Sequence, residues 1–306
     1  MTEGLVIKST GSAITVLISD DEQLDCRIKG NLRIAGIRST NPVAVGDRVT
    51  VERQADGTNW ITAVLPRRNY IIRRSTNLSK QSHILAANID RVALMVTINH
   101  PVTSTTFIDR LLATAEAYSV PAMLIFNKVD LLSDEEKTQL RSLMDLYTSL
   151  GYLTIAISAI YDDLSELRKE FTGKTTLISG NSGVGKSTLL NALFGKDITR
   201  TADISRAHDT GMHTTTFSEM YFLEDGGAII DTPGVKGFGT IDMQKEEVGH
   251  FFPEIFALSR QCRYSNCLHC GEPGCAVLPE VGNTIAESRF ESYLSILSDD
   301  TESKYR

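Results

Sequence analysis

The order of two motifs constrains this chain more than any other feature. "GNSGVGKST", residues 180–188, has the G-x-x-x-x-G-K-[ST] spacing of a phosphate-binding loop. "NKVD", residues 127–130, has the form of a guanine reader, and it precedes that loop. In the usual guanine-nucleotide fold the phosphate loop comes first. A parallel sheet can accept the reversal. Joining the old ends and cutting between the strand that ends in "DTPG" (231–234) and the strand that ends in "NKVD" leaves every strand in place. The exit changes, however. The chain now leaves just after the second switch, so whatever follows is tethered to the element that moves on hydrolysis.

Each motif sits in the context its chemistry requires. The phosphate loop follows the apolar run "TTLIS" and opens a helix with Leu189, Leu190 and Leu193 on one face. Across Gly180, Asn181, Ser182, Gly183, Val184 and Gly185 the glycines let backbone N–H groups curl around a β-phosphate, and the helix N-terminus adds partial positive charge. Lys186, Ser187 and Thr188 close the motif. Lys186 is suited to the β- and γ-phosphates and Ser187 to Mg²⁺. Asp231, at a strand end, suits Mg²⁺ through water, and the Gly234 N–H suits the γ-phosphate. Asp130 can accept two hydrogen bonds from the N1–H and N2–H₂ edge of guanine, which adenine lacks. Asn127, Lys128 and Val129 complete the base pocket, and Ser158 with Ala159 suits a contact to O6. Thr214, Thr215 and Thr216 are all candidates to complete the Mg²⁺ shell, and Thr215 is favoured.

Around this core the texture of the sequence changes twice. Residues 1 to about 65 are short β-branched runs broken by Gly, Asp and Asn, which predicts a small β-domain such as an OB-fold barrel. From about 88, near-continuous apolar strands alternate with helical patterns, which predicts a parallel sheet covered on both faces. After 241 the pattern is helical with a cysteine-rich interruption. The expected division is 1–68, 69–240 and 241–306.

The net charge of −7 speaks against nucleic acid only as an average. Residues 1–80 hold twelve Lys and Arg against eight Asp and Glu, so the basic excess sits at the N-terminal end. "PRRNYIIRRSTNLSK" (66–80) places Arg67, Arg68, Arg73, Arg74 and Lys80 around Tyr70. It reads as a basic linker that either touches phosphates or is simply solvated. No apolar run approaches the ~20 residues of a membrane span, and the start has no basic head followed by an apolar core. The expectation is a cytoplasmic protein.

Four of the five cysteines fall between 262 and 275. Cys262, Cys267, His269, Cys270 and Cys275 offer five ligands for a four-coordinate Zn²⁺ site, and spacing alone does not say which is spare.

Taken together, NKVD, SA, GNSGVGKST, HTTT, DTPG and C-x4-C-x-H-x5-C, in that order after a β-domain, resemble the RsgA (YjeQ) family of circularly permuted ribosome-assembly GTPases. The resemblance spans essentially the whole chain. It implies an N-terminal OB-fold, a permuted P-loop GTPase core and a helical zinc domain. It implies GTP hydrolysis with Mg²⁺, and binding to the small (30S) ribosomal subunit and its 16S rRNA during late maturation, with no membrane partner and a monomeric state. It assigns the zinc ligands to Cys262, Cys267, His269 and Cys275, leaving Cys270 spare. Where Ras-like proteins carry a water-orienting Gln, this chain has Val235, and His213 resembles the family's substitute; the alternative is an ordinary loop histidine. A metabolic P-loop kinase and an RNA-binding module with a merely structural nucleotide site are the rival readings. NKVD with DTPG speaks against the first, and intact Lys186, Ser187 and Asp231 against the second.

Overall fold

The computed structural model describes residues 1–10, 13–29, 32, 42–74, 82–195, 198, 218–232 and 243–302. The N-terminal unit is built from β1 (Thr2–Ser9), β2 (Ile14–Ser19), β3 (Glu22–Ile28), β4 (Arg48–Arg53) and β5 (Asn59–Val64). Pairing runs β1–β2–β3–β5–β4 and back to β1, so the sheet closes into a five-stranded barrel. Alternation in the strands supplies its core: Ile14 and Val16 on β2, Val49 and Val51 on β4, with Val6, Cys26 and Ile61, all point inward. This is the barrel expected from the sequence.

Between barrel and core, the stretch read as a basic linker is partly structured. β6 (Tyr70–Arg74) pairs antiparallel with β7 (Ser82–Ala87). The reason is apolar: Ile71 and Leu85 are buried in the main core. Arg67 is not a free cation. Its guanidinium forks onto Asp47, with Nε–Oδ1 and Nη2–Oδ2 both at 2.7 Å, and donates to the Pro42 carbonyl at 2.9 Å. Both side chains are buried. Arg68 pairs with Asp90 at 2.6 Å. The Tyr70 ring centre lies 5.2 Å from that of Tyr118 and 5.9 Å from the Arg67 guanidinium carbon. Neither reading of the linker, phosphate contact or solvation, holds for Arg67, which is buried against Asp47, and Tyr70 is half-buried against Tyr118.

The central sheet has the order β10-β9-β8-β11-β13-β12. Its strands are β8 (Arg91–Val96), β9 (Ala122–Phe126), β10 (Leu153–Ala156), β11 (Thr175–Gly180), β12 (Ser218–Phe222) and β13 (Ala228–Asp231), all parallel except β12. The strands read as continuous apolar runs because both faces are covered. Val92, Leu94 and Val96 of β8 face α1 (Thr105–Ala117) and α2 (Asp134–Ser149). Ala93 and Met95 face α3 (Ser165–Phe171) and α4 (Lys186–Phe194). Strand β12 also pairs with β1, with Lys8 opposite Glu219 and Ser9 opposite Ser218. Barrel and parallel sheet thus form one continuous eleven-stranded sheet among the described residues.

The C-terminal unit holds α5 (Lys245–Val248), α6 (Pro253–Ser259) and α7 (Glu287–Glu302). Its apolar cluster, including Phe252, Ile255, Ile285 and Tyr293, also takes in Ala113 of α1. Arg289 of α7 reaches Asp109 of α1 at 2.7 Å and Glu254 of α6 at 2.7 Å, and Tyr147 of α2 donates to the same Asp109 oxygen at 2.9 Å. The guanidinium also lies 4.5 Å from the Phe252 ring centre. Removing one member of a buried ionic cluster strands the others without water. Arg289→Ala is expected to cost about 3–5 kcal/mol in urea unfolding, and Arg289→Lys, which restores charge but not the fork, to recover only part of it.

Candidate functional site

Four loops converge at the C-terminal edge of the parallel sheet, where open α/β folds bind ligands. The loop after β11 runs into α4, and three of its glycines have positive φ. Gly185 (φ +99°) is the most constrained, because a Cβ there would lie 2.4 Å from Asn127 Nδ2. A Cβ on Gly180 would meet the Met95 carbonyl at 2.6 Å. Asn127, at the end of β9, is buried. Its Nδ2 donates to the Val184 carbonyl at 2.8 Å, and its Oδ1 accepts the Ala159 N–H at 3.0 Å. One amide therefore joins the guanine-reader loop, the phosphate loop and the loop after β10. Lys128 has a left-handed φ of 65°. Its ammonium donates to the carbonyls of Gly183 at 2.7 Å and His100 at 2.6 Å. Val129 N–H meets the Ile157 carbonyl at 3.3 Å, and Asp130 stands exposed in a turn of 3₁₀-helix.

The remaining candidates fall into place around this frame. Ser158 N–H is held by Asp162 at 2.7 Å, and its buried hydroxyl has no hydrogen-bond partner among the described residues. Asn181 is half-buried and Val184 buried, while Ser182, Gly183, Ser187 and Thr188 are exposed. Lys186 donates to the loop's own Gly180 carbonyl at 2.7 Å. Burial pulls its ammonium below the usual lysine range, and Asp231 at the end of β13 opposes that. A glycine cradle that a Cβ would fill, an orphaned serine hydroxyl and a partly desolvated lysine beside an aspartate fit a nucleotide phosphate and base. His213, Thr214, Thr215, Thr216, Gly234 and Val235 lie outside the described residues. The sequence reading missed Asp162, which fixes the Ser158 N–H, and the contact of Asn99 with Glu136 beside the site. A signal for Glu136 was legible as Ser133-x-x-Glu136, a capping box.

The second cluster lies in the C-terminal unit. One ligand atom each from Cys262, Cys267, His269 and Cys275 lies within 4.8 Å of the others. His269 Nδ1 is 3.4 Å from Cys275 Sγ and 3.7 Å from Cys262 Sγ. Cys270 is exposed and turned to the Leu268 carbonyl, outside the cluster. Glu272 straps the turn by accepting the Leu268 and Cys270 N–H groups, both at 2.8 Å. Burial favours neutral His269, the form that ligates metals. Burial also pushes the Cys267 thiol up to about 12; the His269 backbone N–H pulls the other way, and Cys275 adds to the rise. Three crowded thiols and a neutral imidazole suit a metal ion that displaces the thiol protons.

Comparison with known proteins gives the family. The RsgA GTPase family matches residues 64–241, and the RsgA N-terminal domain family matches residues 3–61. The chain belongs to the RsgA family. It is a circularly permuted GTPase, as the motif order implied. It is 57% identical to the small ribosomal subunit biogenesis GTPase RsgA of Bacteroides fragilis, over 99% of each chain. It is 56% identical to that of Porphyromonas gingivalis over 99% of each. Its fold is similar to YjeQ from Thermotoga maritima (TM-score 0.75, 31% identity, 100% and 99% of the two chains). It is also similar to YloQ, a circularly permuted GTPase (TM-score 0.70, 27% identity, 100% and 97%).

The Gly185 geometry generates a test on this RsgA-family chain. Gly185→Ala combines a disfavoured φ with a clash against Asn127. GDP affinity, measured by fluorescence titration, is expected to fall by about tenfold or more. Gly57→Ala has a similar φ of +84° but open space around it, and is expected to leave affinity unchanged.

Proposed function

We propose that the protein binds the small (30S) ribosomal subunit, assists its late maturation, and hydrolyses GTP to GDP and phosphate with subunit-stimulated turnover and release. The observation that carries this reading is full-length identity above 55% with proteins named small ribosomal subunit biogenesis GTPases. The continuous strand pairing of the barrel with β12 supports it, because β12 follows directly on the segment that contains Thr215.

In this reading the chain divides at 1–68, 69–240 and 241–306. The barrel contacts 16S rRNA. Asp130 reads the guanine edge, with Asn127, Lys128 and Val129 shaping the pocket and the Ser158–Ala159 turn serving O6. The backbone of residues 180–188 and the Lys186 ammonium hold the phosphates. Ser187, Thr215 and Asp231 are the residues that would hold Mg²⁺, which when bound neutralises phosphate charge. Gly234 N–H senses the γ-phosphate. His213 orients water in place of the glutamine that Val235 lacks. Cys262, Cys267, His269 and Cys275 would hold one Zn²⁺, which when bound cross-links the C-terminal unit. No described helix is long and apolar enough to cross a membrane. The reading carries with it a monomer acting in the cytoplasm.

Two measurements test it. GTP turnover is expected to rise on adding purified small subunits, and His213→Ala to cut the stimulated rate by about 10²–10⁴-fold while GTP binding holds. Turnover indifferent to subunits would remove the ribosomal reading. Metal analysis is expected to find about one zinc per chain, kept in Cys270→Ser and lost in Cys267→Ser.

A further inference from the structure

The Lys128 ammonium bridges two loops, and the second of them is fixed by side chains outside the phosphate loop and the guanine-reader motif. The segment after β8 turns back sharply, with Thr97 N–H donating to the Thr103 hydroxyl at 3.1 Å. At its tip His100 takes a left-handed φ of 57°, unusual for a residue other than glycine or asparagine. Its carbonyl is one of the two acceptors for Lys128 Nζ. The Asn99 side chain holds this conformation from behind. Its Oδ1 accepts the His100 N–H at 2.9 Å, and its Nδ2 donates to Glu136 Oε1 at 2.8 Å. Glu136 is itself fixed: Oε2 accepts the Ser133 N–H at 2.8 Å, and its own N–H donates to Ser133 Oγ at 3.2 Å. A capping box needs only one carboxylate oxygen. Here the second is spent on a residue 37 positions away.

We propose that Asn99 and Glu136 are positioning residues for guanine-nucleotide binding, fixing the loop after β8 so that the His100 carbonyl holds the Lys128 ammonium against the phosphate loop. The inference rests on the reading of Lys128 as part of the base pocket. An unbroken run of hydrogen bonds leads from the Ser133 backbone N–H through Glu136, Asn99 and His100 to Lys128 and Gly183, and the Ser133 hydroxyl is not part of it. The carboxylate anchors it as a charged acceptor, held below the usual glutamate range by the Ser133 backbone N–H and then by Asn99. If the anchor is lost, His100 is free to leave its left-handed conformation, and Lys128 keeps only the Gly183 carbonyl. Affinity then falls although no group that touches nucleotide has changed.

The test is GDP release from the full-length protein, followed by stopped flow with a fluorescent GDP, with urea unfolding measured in parallel. Asn99→Ala and Glu136→Gln, which leaves one carbonyl oxygen for two donors, are expected to speed release roughly three- to tenfold. The double variant is expected to be no faster than the faster single, because both act through one run of bonds. Ser133→Ala weakens the helix cap but keeps the Asn99–Glu136 contact. It is expected to lower the unfolding midpoint and leave release unchanged. Unchanged release in Asn99→Ala, or release in Ser133→Ala as fast as in Glu136→Gln, would overturn the inference. A wild-type protein that failed to hold GDP at all would overturn the nucleotide reading and this inference with it.

Discussion

The nucleotide site depends on the side-chain amide of Asn127. Its two ends satisfy one backbone carbonyl and one backbone N–H from two other loops, at 2.8 and 3.0 Å. Both bonds are buried, where a lost partner costs the full desolvation of the group left behind. The amide also explains a glycine: nothing larger fits at Gly185, because Asn127 Nδ2 occupies the space a Cβ would need. The geometry depends on which strands are neighbours and not on which comes first along the chain. β8 lies between β9 and β11, and registers such as Ile178 opposite Ala93 and Ala93 opposite Met123 bring the three strand ends level. A permutation that keeps those registers keeps the site.

The permutation does change what the site is attached to. The N-terminal barrel meets the core at β12, through two residue pairs and a half-exposed ion pair between Lys8 and Glu219 at 3.3 Å. Such a pair contributes about 0–1 kcal/mol, so strand pairing, the burial of Ile7 and Val45 in the main core, and the bonds from Ala87 N–H and Asn88 Nδ2 to the Val45 and Gly46 carbonyls carry this junction. The C-terminal unit is held differently, by Arg289 buried between Asp109 and Glu254 and by an apolar cluster that includes Ala113. Asp109 and Ala113 both lie on α1, and the loop that leads into α1 supplies the His100 carbonyl to Lys128. One helix therefore carries the C-terminal unit on its side and the edge of the nucleotide site at its start.

Much of this was legible in the sequence, because the relevant signals are local. Short β-branched runs broken by Gly, Asp and Asn predicted the barrel. The apolar runs of β8, β9 and β11 predicted a sheet covered on both faces. Strand–loop–helix context predicted the phosphate loop. What was not legible depends on partners distant in sequence. Arg67 looks like a linker cation until Asp47, twenty residues earlier, is brought beneath it. Tyr70 sits among linker arginines in the sequence, and its contact with Tyr118 is equally beyond any local pattern. Ser133-x-x-Glu136 announces a helix start, but nothing in its spacing reveals that the carboxylate's other oxygen is committed to Asn99. Spacing left the spare cysteine open and the family resemblance chose Cys270; the structure gathers the other three cysteines with His269, in a turn that Glu272 straps and that points Cys270 away.

The buried Arg67–Asp47 pair decides which cations of the N-terminal region can meet a phosphate. The N-terminal excess counts Asp47 as well as Arg67, so burying the pair leaves the excess unchanged and only takes Arg67 out of reach. Arg68, Lys29 and Arg53 each lie against a carboxylate, at 2.6, 3.7 and 2.8 Å. These pairs are exposed, so their cations can exchange a carboxylate for a phosphate at little cost. Arg27 and Arg48 are exposed on β3 and β4, strands that lie on either side of β5. Among the described residues of the barrel, a phosphate contact can draw on these surface strands but not on the buried Arg67. Counterion release scales with the number of phosphates neutralised. The salt dependence of such a contact would accordingly report Arg27, Arg48 and their exposed neighbours, while Arg67 would register only in stability.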